Sequence, residues 1–227
     1  MVLSRLHKHG LRANSSKCEF FHDKIEFCGH EISQDGLHKS QKKIGAVVNA
    51  PHPENVSQVR SFIGLINYYQ HFLPNLSTLL QPLNKLLEKG SKWKWTPQCE
   101  EAFVQAKKLI ASEEVLAHYD PQRPIKLECD ASPYGLGAVL TQVMEDKTER
   151  PIQYTSTTLT KNKEKHYSQI DKEALALIWG VKKFHTSLRT DHKPLTTIFN
   201  PAKAIPATTA ARLQRYAIVS RRVQLHS

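Results

Sequence analysis

No apolar stretch in this 227-residue chain approaches the roughly 20 residues that a membrane-crossing helix needs. Met1 to Gly10 hold His7, Lys8 and His9 where a signal peptide would place its apolar core. Cysteine is also scarce. The four present, Cys18, Cys28, Cys99 and Cys129, are scattered rather than spaced as a small secreted framework. That excludes a disulfide scaffold and favours reduced thiols in an intracellular compartment, cytoplasm or nucleus. Acidic residues are in deficit, 21 against 32 Lys and Arg, for a net charge of +11 and a pI near 9.5. Such a balance suits a polyanionic partner, of which nucleic acid is the commonest; the plainer alternative is a merely soluble basic protein. An apolar fraction of 40% is enough for a core and excludes global disorder. The length allows one large domain or two small ones.

Residues 2–9 read as a helix that Gly10 ends. Because Met1 to Leu6 resemble the middle of a helix, the chain is expected to begin inside a larger domain. Residues 20–32 predict two strands turning around Asp23-Lys24, with Asp35-Gly36 as a second turn. A short helix follows over 40–50, stopped by Pro51 and Pro53. The strongest helical pattern comes next. Val56, Val59, Ile63 and Ile66 mark one face and Phe62, Leu65, Tyr69 and Phe72 an adjacent one, with Pro74 as the end. Residues 76–87 predict a further helix. Thr96-Pro97 supplies an N-cap and first turn for another, whose buried stripe is Phe103, Ala106, Leu109 and Ile110. After Pro121 three antiparallel strands are expected, over 125–130, 136–142 and 151–156, followed by a helix from near Tyr167.

Three acids stand out. Asp130 ends a strand-like alternation, Glu173 opens an apolar helix, and Asp191 follows a short link from that helix. Carboxylates converging from separate elements are what a magnesium site for phosphodiester chemistry requires. Each has a plainer reading. Asp130 lies on the face of Lys126 and Glu128 and suits a solvated strand end. Glu173 shares its helix face with Leu177, Gly180, Val181 and Phe184, a stripe expected to be buried, where either a metal or a basic side chain would answer its charge. Asp191 suits a cap for the segment after Pro194. Only a strand terminus in a twisted sheet would bring Asp130 to Glu173.

Other candidates are weaker. Lys92-Trp93-Lys94-Trp95 alternates cations and rings that could stack on bases, or forms a short strand closing a core edge. Cys18, His22, Cys28 and His30 lack the paired spacing of a zinc knuckle. Lys161, Lys163 and Lys165, just before the Glu173 helix, suit either a nucleic-acid backbone or a solvated loop.

Cys129-Asp130-Ala131-Ser132, Gly135 to Leu140, Tyr154-Thr155-Ser156, Tyr167 to Leu177 and Thr190-Asp191-His192 resemble the ribonuclease H region of gypsy-type LTR retrotransposon polyproteins. Upstream, Gly10-Leu11-Arg12, Lys17 to Phe20, Phe27-Cys28-Gly29-His30 and Arg60 to Tyr69 resemble the reverse transcriptase palm end and thumb. Trp95-Thr96 and Ala102-Phe103 resemble the connection. The matches run in family order over residues 3–216. The resemblance implies an α/β fold, an RNase H-like mixed five-stranded sheet with flanking helices, behind an α+β N-terminal part with helical thumb and connection. It divides the chain into palm end 1–38, thumb 39–90, connection 91–118 and a truncated RNase H-like domain 119–227. It further implies hydrolysis of the RNA strand of an RNA–DNA hybrid with two Mg²⁺ ions, Mn²⁺ being a possible substitute. Asp130, Glu173 and Asp191 match the first three metal-holding acids. Phe27, Gly29 and His30 match the segment that grips a primer terminus. Trp93, Lys161, Lys163 and Lys165 are the further candidates for nucleic-acid contact.

Three departures qualify this. The chain has no Tyr-x-Asp-Asp turn, so it is not expected to polymerise DNA without a separate polymerase portion as partner. Between His185 and Thr190 only four residues remain, an extended reach of about 13 Å where relatives place a turn and a strand. The sequence stops at Ser227, before a fourth acid is expected. The endoribonuclease activity is therefore expected to be weak or lost. A non-catalytic nucleic-acid-binding remnant is the alternative, and a structural or interaction role without nucleic acid a third.

Overall fold

The computed structural model describes residues 2–187 apart from 15, 17, 19–21 and 162–165. Helix α1, Val2–Lys8, ends before Gly10, which takes a φ of +72°. Three short strands follow, β1 (Lys24–Phe27), β2 (His30–Ser33) and β3 (Gly36–Lys39), forming an antiparallel meander in that order. The first turn is Cys28-Gly29 and not Asp23-Lys24, which opens β1. Phe27 pairs with His30, so only two residues remain for the turn, and both take positive φ, +48° and +75°. That is the twist a two-residue hairpin requires, and Gly29 supplies it without strain.

The helices come next: α2 (Gln41–Val48), α3 (Val56–Tyr68), a 3-10 turn at Gln70–Phe72, α4 (Leu76–Leu79), α5 (Gln81–Leu86) and α6 (Pro97–Ala111). Asn55 caps α3 by accepting the Gln58 N–H through Oδ1 at 3.0 Å. Thr96 does the same for α6 at Cys99, 3.3 Å, with Pro97 as first helical residue. The helix predicted over 76–87 is two, broken at Leu80 where Pro82 opens the second. On α3, Val59, Phe62, Ile63 and Ile66 are buried, whereas Leu65 is exposed. These helices share one core with Tyr69, Phe72, Leu73, Leu76, Leu83, Phe103 and Ile110.

The second sheet is β4 (Ile125–Ala131), β5 (Gly135–Val143) and β6 (Glu149–Thr158), antiparallel in sequence order, with a register shift between Leu140 and Thr141. The final described helix, α7, is Gln169–Ser187. The further strands of a five-stranded sheet concern residues outside the described ones. β5 is sandwiched. On one face a Cβ at Gly180 of α7 would lie 2.5 Å from Cys129 Sγ and 3.3 Å from Ala138 Cβ, so the helix sits too close for any larger residue there. On the other, the α4 segment lies against the strands. Ser77 N–H donates to Ser156 Oγ at 3.0 Å, and a Cβ at Gly137 would lie 2.4 Å from Asn75 Oδ1. The two sheets are also tied to one another through Leu116. It exchanges backbone hydrogen bonds with Leu37, 2.8 and 3.0 Å, while the next residue, Ala117, donates to Pro151 O at 2.7 Å. No helix among the described residues is long and apolar enough to cross a membrane.

Candidate carboxylate site and nucleic-acid face

Alternation along β4 divides its side chains cleanly. Leu127 and Cys129 turn toward Gly180 of α7, while Lys126, Glu128 and Asp130 are exposed. Burial pushes the Cys129 thiol up to about 11, so it is a neutral packing group beneath α7. Lys126 is held by Glu128 at 2.6 Å and Glu149 at 3.0 Å. Asp130 is a ladder partner of Gly137, and its carboxylate makes no hydrogen bond or ion pair among the described residues.

Glu173 approaches the same end of β4 from the opposite layer. Helix α7 starts at Gln169 because Ser168 and Asp171 cap each other: Ser168 N–H and Oγ donate to Asp171 Oδ2 at 3.1 and 2.8 Å, and Asp171 N–H donates to Ser168 Oγ at 3.3 Å. That start places Gln169 over the strand terminus. Its Nε2 donates to Ala131 O at 2.9 Å and to Glu173 Oε1 at 2.6 Å. One amide thus ties the carboxylate to the residue that follows Asp130. Buried Lys172 adds a second clamp, donating to Pro133 O at 3.2 Å.

The buried line of α7 corrects part of the expected stripe. Gly180 and Phe184 are buried as expected, but Lys172 and Ala176 complete the line, with Glu173 half-buried at its margin and Leu177 46% exposed. At Ala176 and Gly180 the close approach to the sheet favours small residues, so the bulk of Leu177 was a poor guide. Glu173 is half-buried and accepts from Gln169, so burial alone does not demand a cation beside it. Asp130 and Glu173 supply hard oxygen donors of the kind Mg²⁺ prefers. No group of three His, Cys, Asp or Glu that could hold a metal occurs among the described residues. Asp191 lies outside them, as do Lys163 and Lys165.

The Cys28-Gly29 hairpin is a second locus. Tyr69 Oη donates to Gly29 O at 2.8 Å, and Tyr68 Oη donates to Cys28 O. A Cβ on Gly29 would meet Lys43 Nζ at 2.7 Å, and Lys43 lies 5.4 Å from the Tyr68 ring centre. His30 stacks between Tyr68 (5.5 Å) and Phe72 (5.6 Å), with its Nδ1 buried and unpartnered among the described residues. Burial, then the charges of His71 and Lys43, hold its pKa below the ordinary value. Phe27, by contrast, is 64% exposed. Phe27, Cys28, Tyr68 and Lys43 thus form an outward aromatic and basic tip, while Gly29 and His30 build its base. Tyr68 and Lys43 went unnoticed as site candidates in the sequence, although the Tyr68-Tyr69 pair at the end of an apolar helix was visible there.

Trp93 is half-exposed and leans on Trp95, ring centres 6.0 Å apart. Trp95 packs on Phe103 and donates Nε1–H to Glu100 at 2.8 Å. Neither lies in a strand, contrary to the core-edge expectation, although Trp95 does join the core's margin. Lys161 Nζ bonds Glu88 Oε2 at 2.6 Å. Cys18 Sγ donates to Asn14 O, and with His30 enclosed by rings the loose Cys/His set does not converge.

Residues 95–196 match the RNase H-like domain found in reverse transcriptases. Over 193 residues, 85% of its length, the chain is 38% identical to the transposon Tf2-3 polyprotein of Schizosaccharomyces pombe, and equally to the Tf2-4 polyprotein. These matches indicate a fragment of an LTR retrotransposon polyprotein with an RNase H-like domain. It spans 14% of the length of those two relatives. Among solved structures, it is similar to the foamy viral protease-reverse transcriptase dRH in complex with double-stranded DNA. The TM-score is 0.74 at 18% identity, covering 100% of this chain and 41% of that one. It is also similar to the foamy viral protease-reverse transcriptase in complex with RNA/DNA hybrid, TM-score 0.67 at 18% identity, covering 92% and 29%. These likenesses establish the RNase H-like α/β fold of this retrotransposon segment.

Proposed function

We propose that the chemistry native to this retrotransposon segment is metal-dependent hydrolysis of the RNA strand of an RNA–DNA hybrid at the β4 terminus, and that the activity is weak or lost in this chain. The observation that carries the reading is the Gln169 amide, which joins the end of β4 beside Asp130 to Glu173 of α7. Two acids from separate layers, one of them oriented by a hydrogen bond, form the start of a cation site. Asp130 and Glu173, with Asp191, would hold Mg²⁺, or Mn²⁺ in its place. When bound, such ions activate a water and stabilise the leaving oxygen of a phosphodiester. Asp130 stays open to an incoming phosphate, Gln169 fixes the Glu173 carboxylate, and the excess of basic residues attracts the polyanion.

The reduced activity follows from chain reach. Helix α7 runs to Ser187, fourteen residues past Glu173, which is about 21 Å of axial rise. Four Cα steps from Ser187 to Asp191 return at most about 14 Å. Unless α7 shortens, even a fully extended link falls about 7 Å short of the Glu173 backbone, a gap left to the side chains alone. This supports the second reading, a nucleic-acid-binding remnant without catalysis. Without a Tyr-x-Asp-Asp turn in its sequence, this chain is not a polymerase by itself on either reading.

The test is cleavage of an end-labelled RNA–DNA hybrid in Mg²⁺ and in Mn²⁺ by the chain, Asp130→Asn and Glu173→Gln. Slow metal-dependent cutting, absent in both variants, is the expected outcome for retained catalysis. No cutting with salt-sensitive hybrid binding intact would establish the remnant. Cutting that survives both substitutions would overturn the assignment of these acids.

A further inference from the structure

A basic and aromatic strip borders the carboxylate end of β4 on the face opposite α7. The Ser132-Pro133-Tyr134 turn that follows Asp130 is held there from the helical block, with Thr78 Oγ1 2.7 Å from Ser132 Oγ and Lys85 Nζ of α5 5.7 Å above the Tyr134 ring centre. Leu159 N–H donates to Tyr134 O at 2.8 Å, bringing the segment after β6 alongside. Two residues on, Lys161 meets Glu88, just past α5. Lys85, Lys89, Tyr134 and Lys161 are all exposed, and Glu88 is the acid among them.

We propose that Lys85, Lys89, Tyr134 and Lys161 form a track for the sugar–phosphate backbone of a nucleic-acid strand leading to Asp130. Among the described residues of the strip three cations stand against one acid, Glu88, which pairs with Lys161. An exposed ring beside a lysine offers a stacking surface flanked by a phosphate contact, the pairing that sequence-tolerant strand binding uses. Asp130 and Gly137 lie on this same sheet face, where Asn75 approaches Gly137. A strand following the strip therefore arrives on the side from which Asp130 is open.

The inference rests on the nucleic-acid reading, and one binding experiment separates their failures. Fluorescence anisotropy of a labelled RNA–DNA hybrid is titrated with the chain, Lys85→Gln/Lys89→Gln, Tyr134→Leu and Lys147→Gln at several salt concentrations. Lys147 lies in the β5–β6 turn, the far end of the nine-residue β5, about 30 Å from the strip, so its variant controls for net charge alone. The double variant is expected to bind roughly tenfold more weakly at 0.1 M salt, with the slope of log affinity against log salt reduced by about 2. Tyr134→Leu is expected to weaken binding about fivefold with the slope unchanged. Lys147→Gln is expected to match the parent chain. Parent-like binding by the strip variants, or equal losses in Lys147→Gln, with melting temperatures unchanged, would overturn the track alone. No salt-sensitive binding by the parent chain would remove the nucleic-acid reading and the track together.

Discussion

The helical block and the RNase H-like sheet are stabilised differently. Residues 44–116 contribute one continuous core of nineteen buried residues, with large rings and branched aliphatics throughout. Among the described residues the sheet has two small clusters, Ala131, Leu136, Leu159 and Ala176, and Ala138, Leu140 and Phe184. Three of those seven residues are alanines, and at Gly180 helix α7 lies too close to β4 and β5 for any larger side chain. Fewer apolar atoms are buried, so the layer carrying Asp130 and Glu173 depends more on close fit and on polar clamps. The sheet's geometry is expected to be the more sensitive of the two to small changes in shape.

Substitutions can sharpen that contrast. The largest effect is expected from Phe72→Ala, which removes a ring 1% exposed and should cost about 3–5 kcal/mol in urea unfolding. It also removes one of the three rings around His30. Gly180→Leu should cost about 1–3 kcal/mol by overpacking α7 against Cys129 and Ala138. If the sheet depends on close fit as argued, cysteine labelling in Gly180→Leu will reach Cys129 well before global unfolding. Equal labelling rates in parent and variant would break the comparison. Thr96→Ala, which removes the α6 cap, should cost about 1 kcal/mol and leave the hairpin and the β4 terminus unaltered.

The smallest effects are in pH dependence. His30 binds its proton less readily folded than unfolded. Its contribution to stability is therefore complete above the ordinary histidine value and is lost as pH falls through that value toward the lowered one. His30→Phe should flatten the stability profile on the acid side of neutrality, read from melting temperature against pH. Cys129 acts at the other end. With its thiol near 11 against an ordinary 9.0, the unfolded chain ionises first, and stability falls between those two values. Cys129→Ala should remove that loss, and exposed Cys28 should alkylate long before Cys129 at pH 8.

Much of the fold was legible in the sequence because local signals agreed with the final packing. The apolar periodicity of α3, the Thr96-Pro97 start of α6, and the alternation of β4 each appear where the pattern places them. The misreadings share a cause. Asp23-Lys24 is an acceptable turn locally, but pairing Phe27 with His30 leaves only Cys28-Gly29 to turn the chain. Leu65 and Leu177 are apolar residues on predicted inner faces that remain exposed, since no neighbour among the described residues covers them. Local pattern ranks surfaces by apolarity, whereas packing ranks them by what fits.

The candidate site divides the same way. By itself the sequence determined the acids, their order and family resemblance, the excess positive charge, and the short interval before Asp191. Those depend on residue identity and spacing alone. Only the tertiary structure decided that Glu173 sits at the margin of the α7 contact rather than within it, and that Gln169 joins it to the end of β4. It alone brought Lys85 over Tyr134 across an interval of forty-nine residues. Such juxtapositions are set by a helix docking close to a sheet through Gly180 and by a helical block seated on the other face. Neither contact leaves a periodic trace in the chain.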